Sequence, residues 1–231
     1  MSSIQRNIKL KFIIAYHGEK YQGWQTQKTG VGVQSVIEDV LRKFFPNAGT
    51  LWGSSRTDTG VHALGMVAHI EMPAESLNMA TRKIRLAVNA NLPRDIRVIS
   101  TSKVPLRFNA QFDAKGKQYK YRIWNHASMN PLLQGLAWQV PVKLDLKLMQ
   151  EASRHFLGER DFQSFASNRS YAYESTVRTL TRCDVRKQGY EFRVIIEGNG
   201  FLYKMCRGIV GTLAAVGKGK WVPDDIPTLL T

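Results

Sequence analysis

Long apolar runs are missing from this sequence, and with them the usual signs of a membrane protein. No stretch of about 18 apolar residues is present, which argues against a membrane-spanning helix. The opening MSSIQRNIKLKF also lacks the uninterrupted apolar core of a secretion signal. We therefore expect a cytoplasmic protein with no membrane partner.

Cysteines and clustered metal ligands are equally scarce. The two cysteines, Cys183 and Cys206, form no Cys-x-x-Cys pair and cannot build a disulfide framework, which favours a reducing compartment. The 5 histidines are scattered, with no His-x-x-x-His motif and no Cys/His cluster. A Gly-rich phosphate loop of the Walker or Rossmann type is absent as well. We predict neither a metal nor a cofactor.

Acidic residues are few in comparison with basic ones. The chain has 18 Asp and Glu against 33 Lys and Arg, a net charge of +15 and a pI near 10.0. A polyanion, above all a nucleic acid, is the partner that such a surplus favours. The alternative is a merely solvated basic surface. At 231 residues, 43% of them hydrophobic, the chain is large enough to bury a core.

Apolar periodicity predicts strands and helices mixed along the whole chain. Alternating patterns predict strands, and stripes at i, i+3, i+4 spacing predict helices. The predicted strands are 8–14, 49–55, 66–71, 94–102, 117–123 and a hairpin of 177–186 with 190–196; the predicted helices are 33–44, 77–89, 148–156 and 202–213. Both cysteines fall on apolar faces, as small buried thiols do.

The periodicity lapses between Pro105 and Asp113, and the second half then resembles the first half in plan. We place a domain boundary there, giving domains 1–107 and 108–231. The predicted class is α+β, with two similar α/β-sandwich-like halves whose strands form two sheets or share one mixed, mostly antiparallel sheet backed by helices.

The stretch SSRTDTGVHA at 54–63 sets one aspartate, Asp58, between an arginine and a glycine turn. Three interpretations compete. Asp58 is an ordinary turn residue, one half of an aspartic-protease dyad, or a lone carboxylate nucleophile. The dyad needs two carboxylates that share a proton, and the chain has a single Asp-Thr-Gly. An ionised carboxylate acting on a nucleic acid without a metal would attack or stabilise ribose C1′, as in glycosidases.

Several segments in a fixed order resemble the tRNA pseudouridine synthase I family (TruA type). They are YQGWQTQ with VQSVIEDVL (21–41), GSSRTDTGVHALGMVAHI (53–70), VNANLPRDI (88–96), FNAQFDAKGKQYKYRIWN (108–125), FLGERDFQSF (156–165) and GNGFLYKMCRGIVGTL (198–213). The resemblance spans nearly the whole chain. It implies the pseudouridine synthase fold, a homodimer, and isomerisation of uridine to pseudouridine at positions 38 to 40 in the anticodon stem-loop of tRNA.

Site residues follow from the resemblance by position. Asp58 matches the family's catalytic nucleophile, and Arg207 matches a basic residue that pairs with it. Tyr119 matches the tyrosine that stacks on the target uracil, and Arg56 matches an arginine expected to touch the RNA backbone and help the nucleotide flip. Independently, Arg207 lies off the apolar stripe of its predicted helix, so packing does not require it there. Tyr119 shares a strand face with Tyr121 and Ile123, where a plain core role is the alternative.

The sequence departs from the family pattern at its end. Family members usually continue beyond the helix that begins near Pro223 to a Gly-Leu-Tyr/Phe-Leu segment and a last strand lining the active site, whereas this sequence ends at Thr231. A second hypothesis therefore stays open, namely a catalytically weak RNA-binding protein or tRNA-folding chaperone. The basic helix with Arg82, Lys83 and Arg85 is expected to contribute to RNA affinity.

Overall fold

The computed structural model describes residues 6–27, 30–167 and 173–230. The chain forms two compact units, Met1–Ala114 and Lys115–Thr231, each with its own hydrophobic core. Each unit contains one sheet and two α-helices, which confirms the α+β class. Within the described residues the strands pair as two sheets, the first of the two predicted arrangements.

The first unit is a four-stranded antiparallel sheet in the order β2-β3-β1-β4 with two helices. Its elements are β1 (Asn7–Tyr16), α1 (Val33–Phe44), β2 (Trp52–Gly53), β3 (Ala63–Pro73), α2 (Thr81–Asn91) and β4 (Ile96–Val104). Alternation in β1 sends Leu10, Phe12 and Ile14 into the core with no exposed surface. The helices bury their apolar stripes in the same core, since Ile37, Leu41, Ile84 and Val88 belong to it.

Helix α2 begins four residues later than its periodicity predicted. The prediction placed the start at Leu77, but the Leu77 amide donates to Ala74 O (3.1 Å) and closes a 3-10 turn over Ala74–Ser76. A tight local turn therefore takes residues that the apolar pattern assigned to the helix.

The segment after β4 lies on the face of the first sheet opposite the helices. Lys9 Nζ donates to Leu106 O (2.5 Å) and Phe108 O (3.0 Å), and the Ala110 amide donates to His69 Nδ1 (3.1 Å). The face of β1 that carries Lys9, Lys11 and Ile13 is thus partly covered, and Lys9 is only 9% exposed. These bonds explain why the first unit extends to Ala114, beyond the predicted boundary at 107.

The second unit is a five-stranded sheet in the order β6-β5-β9-β8-β7, antiparallel except for the β5–β6 pair. Its elements are β5 (Lys117–Trp124), β6 (Trp138–Gln139), α3 (Leu146–Arg154), β7 (Gly158–Asp161), β8 (Val177–Gln188), β9 (Glu191–Gly198) and α4 (Met205–Gly217). The predicted hairpin is confirmed as β8 and β9, with Gly189 in the turn at φ +58°. The short strands β6 and β7 were not predicted.

Helices α3 and α4 contribute to the core of the second unit, where Met149, Ala152, Ile209 and Leu213 are completely buried. Both cysteines are buried and unpaired, as predicted. A 3-10 helix, Pro223–Leu229, follows α4. No helix within the described ranges is long and apolar enough to cross a membrane.

Candidate active site

Asp58 lies in the connection between β2 and β3, two neighbouring antiparallel strands of the first sheet. Its carbonyl oxygen accepts from the Val61 amide (3.1 Å), which closes a turn over residues 58–61. Gly60 is the third residue of this turn at φ +78°, the left-handed conformation that a type II turn needs there. The side chain of Asp58 is half-buried.

The Asp58 loop is held in place by the segment that follows β1. Tyr16 Oη and Thr57 Oγ1 lie 2.8 Å apart, and the Trp24 amide donates to Thr57 O (3.1 Å). Gly23 has φ +85°, and a Cβ at this position would lie 2.2 Å from Thr57 O, so only glycine allows this approach. Trp24 is 2% exposed beneath the loop. These contacts hold the loop in one conformation.

His62 supports the same loop from its other end. Its Nδ1 accepts from the Gly18 amide (2.9 Å), and its ring lies 4.2 Å from that of His17. These contacts give His62 a structural role in the loop. Arg56 is exposed, and among the described residues of the first unit Asp58 forms no ion pair. Arg56 is thus accessible to a ligand and is not a partner of the aspartate.

Tyr119 and Arg207 both belong to the second unit. Tyr119 lies on the core-facing side of β5, in register with Ile196 of β9, and its half-buried ring meets Phe201 edge-on at 5.0 Å. Arg207 is the third residue of α4 and is exposed, which confirms that it lies off the buried stripe. The helix follows Lys204, which has a left-handed φ of 61°, an uncommon conformation for a residue other than glycine.

Tyr121 connects these two residues, which the sequence did not reveal. It shares the core-facing side of β5 with Tyr119, and its phenol interacts with the Arg207 guanidinium. Burial raises the pKa of Tyr121 to about 12, a rise to which Cys206 adds and which Arg207 opposes. Tyr121 therefore remains a neutral phenol beside Arg207. A strand residue and a helix residue 86 positions apart give no sequence signal of such a contact.

Cys206 lies next to Arg207 but has no chemical role in this arrangement. Burial raises its pKa, so its thiol stays protonated, and the same cause raises the pKa of Cys183 to about 12. Among the described residues, no group of three or more His, Cys, Asp or Glu side chains is placed to hold a metal ion.

The fold and site define a class: an α+β protein that fixes one aspartate on a turn of one unit and presents a tyrosine with an arginine in the other. The family model described as tRNA pseudouridine synthase matches residues 12–113 and 152–231. Proteins named tRNA pseudouridine synthase A are similar along the chain. The one from Geotalea uraniireducens is 41% identical over 96% of this chain and 89% of its own length; for those from Geotalea daltonii and Caldicellulosiruptor saccharolyticus the values are 42% and 41%, over 97% of this chain and 90% of theirs.

These matches cover far more than half of the sequence, and all six segments on which the resemblance was based lie within or overlap the matched residues. The chain belongs to the tRNA pseudouridine synthase family.

Proposed function

We propose that the protein isomerises uridine to pseudouridine at positions 38 to 40 in the anticodon stem-loop of tRNA, without metal or cofactor. One observation carries the proposal: a relative named tRNA pseudouridine synthase A is 41% identical over 96% of the chain, and Asp58 of this chain is presented on a hydrogen-bonded turn. The net charge of +15 supports a polyanionic substrate.

In this proposal the Asp58 carboxylate is the nucleophile of the reaction. The carboxylate attacks C1′ as the N1–C1′ bond breaks, and the electron pair of that bond leaves with the uracil. The uracil turns, C5 attacks C1′ and expels the carboxylate, and the C5 proton leaves for water while N1 takes up a proton from water. The fixed backbone of 57–61 limits the motion of Asp58 and so lowers the entropic cost of attack. Such chemistry needs the nucleotide to leave its stack first.

Tyr119 receives the extracted uracil, with Phe201 holding its ring edge-on. Arg207 supplies the positive charge that pairs with Asp58 during the reaction, and Tyr121 keeps that guanidinium in place. Arg56, exposed in the same loop as Asp58, binds the RNA backbone as the nucleotide flips. We further propose that the protein works as a homodimer in the cytoplasm, which sedimentation of the purified protein and localisation of a tagged chain would test.

The decisive test is Asp58→Asn, measured by tritium release from tRNA that carries 5-tritiated uridine. Product should disappear, while tRNA affinity stays within a few-fold of that of the original protein, because phosphate contacts dominate binding. Asp224→Asn makes the same chemical change at an exposed aspartate of the 3-10 helix Pro223–Leu229, which forms no ion pair among the described residues, and should leave both quantities unchanged. Equal losses of affinity and product in Asp58→Asn would contradict the nucleophile role. Binding by the original protein without tritium release would favour the RNA-binding or chaperone hypothesis.

A further inference from the structure

Two cations lie on the core-facing side of the second sheet, at the same end of that sheet as Tyr119. Lys117 opens β5 two residues before Tyr119, so the two side chains share a face about 7 Å apart. Arg178 lies on β8 two residues before the buried Leu180, and Leu180 pairs with Gly198, which in turn pairs with Lys117. The three strands therefore bring both cations to one corner of this face.

Neither cation has a counter-charge among the described residues. The ion pairs of the second unit use other arginines, and Lys117 Nζ forms no hydrogen bond within the described ranges. Among the residues that the structure describes, Arg178 donates only from Nη1, to Ser175 O (3.0 Å) and Val177 O (2.6 Å), and its Nη2 and Nε have no partner there. These two bonds fix the guanidinium without neutralising it.

The neighbouring carboxylate, that of Glu197, is bound to other residues. Glu197 is in register with Gln118, on the opposite face of the sheet from Lys117. Its Oε1 accepts from Arg182 Nη1 (2.9 Å) and from Gln118 Nε2 (2.5 Å). Glu197 therefore does not balance the charge on the other face.

Two like charges held together in a half-buried place repel each other, and the repulsion costs free energy unless an anion joins them. Burial, and after it the charge of Arg178, lowers the pKa of Lys117, which is the expected sign of this arrangement. A fold that fixes two cations without a carboxylate has the character of an anion site, where the ligand supplies the missing charge.

We propose that Lys117 and Arg178 form a phosphate site that binds the RNA backbone beside the nucleotide whose base contacts Tyr119. The identity of the polyanion rests on the proposed function. A planar guanidinium matches a phosphate with two parallel N–H bonds, and an ammonium adds a compact charge. The base and the phosphates of one nucleotide are joined through a single sugar, so a cation pair next to the stacking ring is within their reach. Lys117 and Arg178 are positioning residues, which hold the nucleotide and take no part in bond making.

The first test compares Lys117→Gln and Arg178→Gln with Lys120→Gln. Lys120 lies on the same strand but on the opposite, exposed face, so it controls for the loss of one charge. Each site variant should weaken tRNA binding about tenfold at low salt and lower the slope of log Kd against log salt by about 0.7 to 1. KM should rise while kcat changes less than about twofold, and Lys117→Arg should restore binding. Equal behaviour of all three Gln variants would overturn the site.

The second test does not depend on comparing the stabilities of variants. Stem-loop RNAs are made with one methylphosphonate, which is uncharged, at either phosphate flanking the target uridine. If the site holds one of these phosphates, the methylphosphonate at that position weakens binding to the original protein about tenfold. The same methylphosphonate then causes no further loss of binding to Lys117→Gln. Additive losses at both positions would overturn the site. Because this cycle measures binding alone, it remains decisive if the protein releases no tritium, an outcome that would count against the proposed function only.

Discussion

At the scale of single residues, Glu191 shows how paired charges stabilise the second sheet. Its carboxylate accepts from Arg122 Nη2 (2.8 Å) and Arg193 Nε (2.6 Å), and its side chain is 10% exposed. The bonds from Arg122, followed by those from Arg193, lower its pKa from 4.5 to about 2 despite the opposing effect of burial. We expect Glu191→Gln to lower the free energy of unfolding at neutral pH by about 1–2 kcal/mol, measured by urea denaturation.

The stability lost in Glu191→Gln depends on pH in a way that follows from the lowered pKa of Glu191. A carboxylate with a lowered pKa in the folded state stabilises fully above its unfolded value of 4.5, and the stabilisation disappears as the pH falls toward 2. The difference between the original protein and Glu191→Gln should therefore be constant above pH 5 and shrink steadily below it. Glu159 on β7 is exposed and has no ion pair among the described residues, so Glu159→Gln should change little at any pH. A difference that grows on acidification would contradict the assignment.

At the scale of elements, strong apolar periodicity was sufficient to predict a strand or helix that buries one regular face. Residues 8–14, 33–44 and the hairpin from Val177 to Ile196 were predicted within a few residues, because alternation or helical stripes there decide what is buried. Strands β6 and β7 have only two and four residues. Trp138 is part of a strand only because it pairs with Ile123, and no local sequence pattern predicts that pairing.

Some features of the candidate site could likewise be predicted from the sequence, and others could not. The turn around Asp58 could be predicted from Thr-Asp-Thr-Gly, because that tetrapeptide has local turn chemistry. The contact of Tyr121 with Arg207 could not be predicted, since it depends on how α4 packs against β5. The common corner of Lys117 and Arg178 could not be predicted either, since it depends on the register of distant strands. Sequence thus predicts a local turn better than it predicts contacts between distant elements.

The segment after β4 gives a prediction about an element held by side chains. Lys9 is 9% exposed and bonds two carbonyls of that segment while lying 3.5 Å from Glu71. Lys9→Met should leave Leu106 O and Phe108 O without their donor and destabilise the fold by about 2 kcal/mol. Amide exchange should accelerate first at Phe108 and Ala110, as followed by NMR. Lys103→Met, an exposed change on the adjacent strand, should alter neither quantity, and equal effects of the two changes would contradict the role of Lys9.

At the scale of the whole molecule, the positive charge is divided almost evenly. Residues 1–114 contain 15 Lys and Arg against 8 Asp and Glu, and residues 115–231 contain 18 against 10. Both units are therefore basic. The charges differ in availability, however, because Arg122, Arg182 and Arg193 are bound to carboxylates whereas the arginines of α2 have no ion pair among the described residues.

This difference leads to a prediction about tRNA binding. Arg82 on α2 and Arg42 on α1 are helical arginines of the same unit, both with exposed side chains, but Arg42 Nη1 and Nη2 are bound to Asp39 (3.0 Å) and Glu38 (3.1 Å). Only an unpaired guanidinium releases counterions from RNA without first breaking a protein contact. Arg82→Gln should lower the slope of log Kd against log salt by about 0.7 to 1, and Arg42→Gln by less than half of that. Binding is measured with tRNA at four salt concentrations. If the two variants have equal slopes, net charge alone governs RNA binding and the placement of unpaired cations on α2 has no special role.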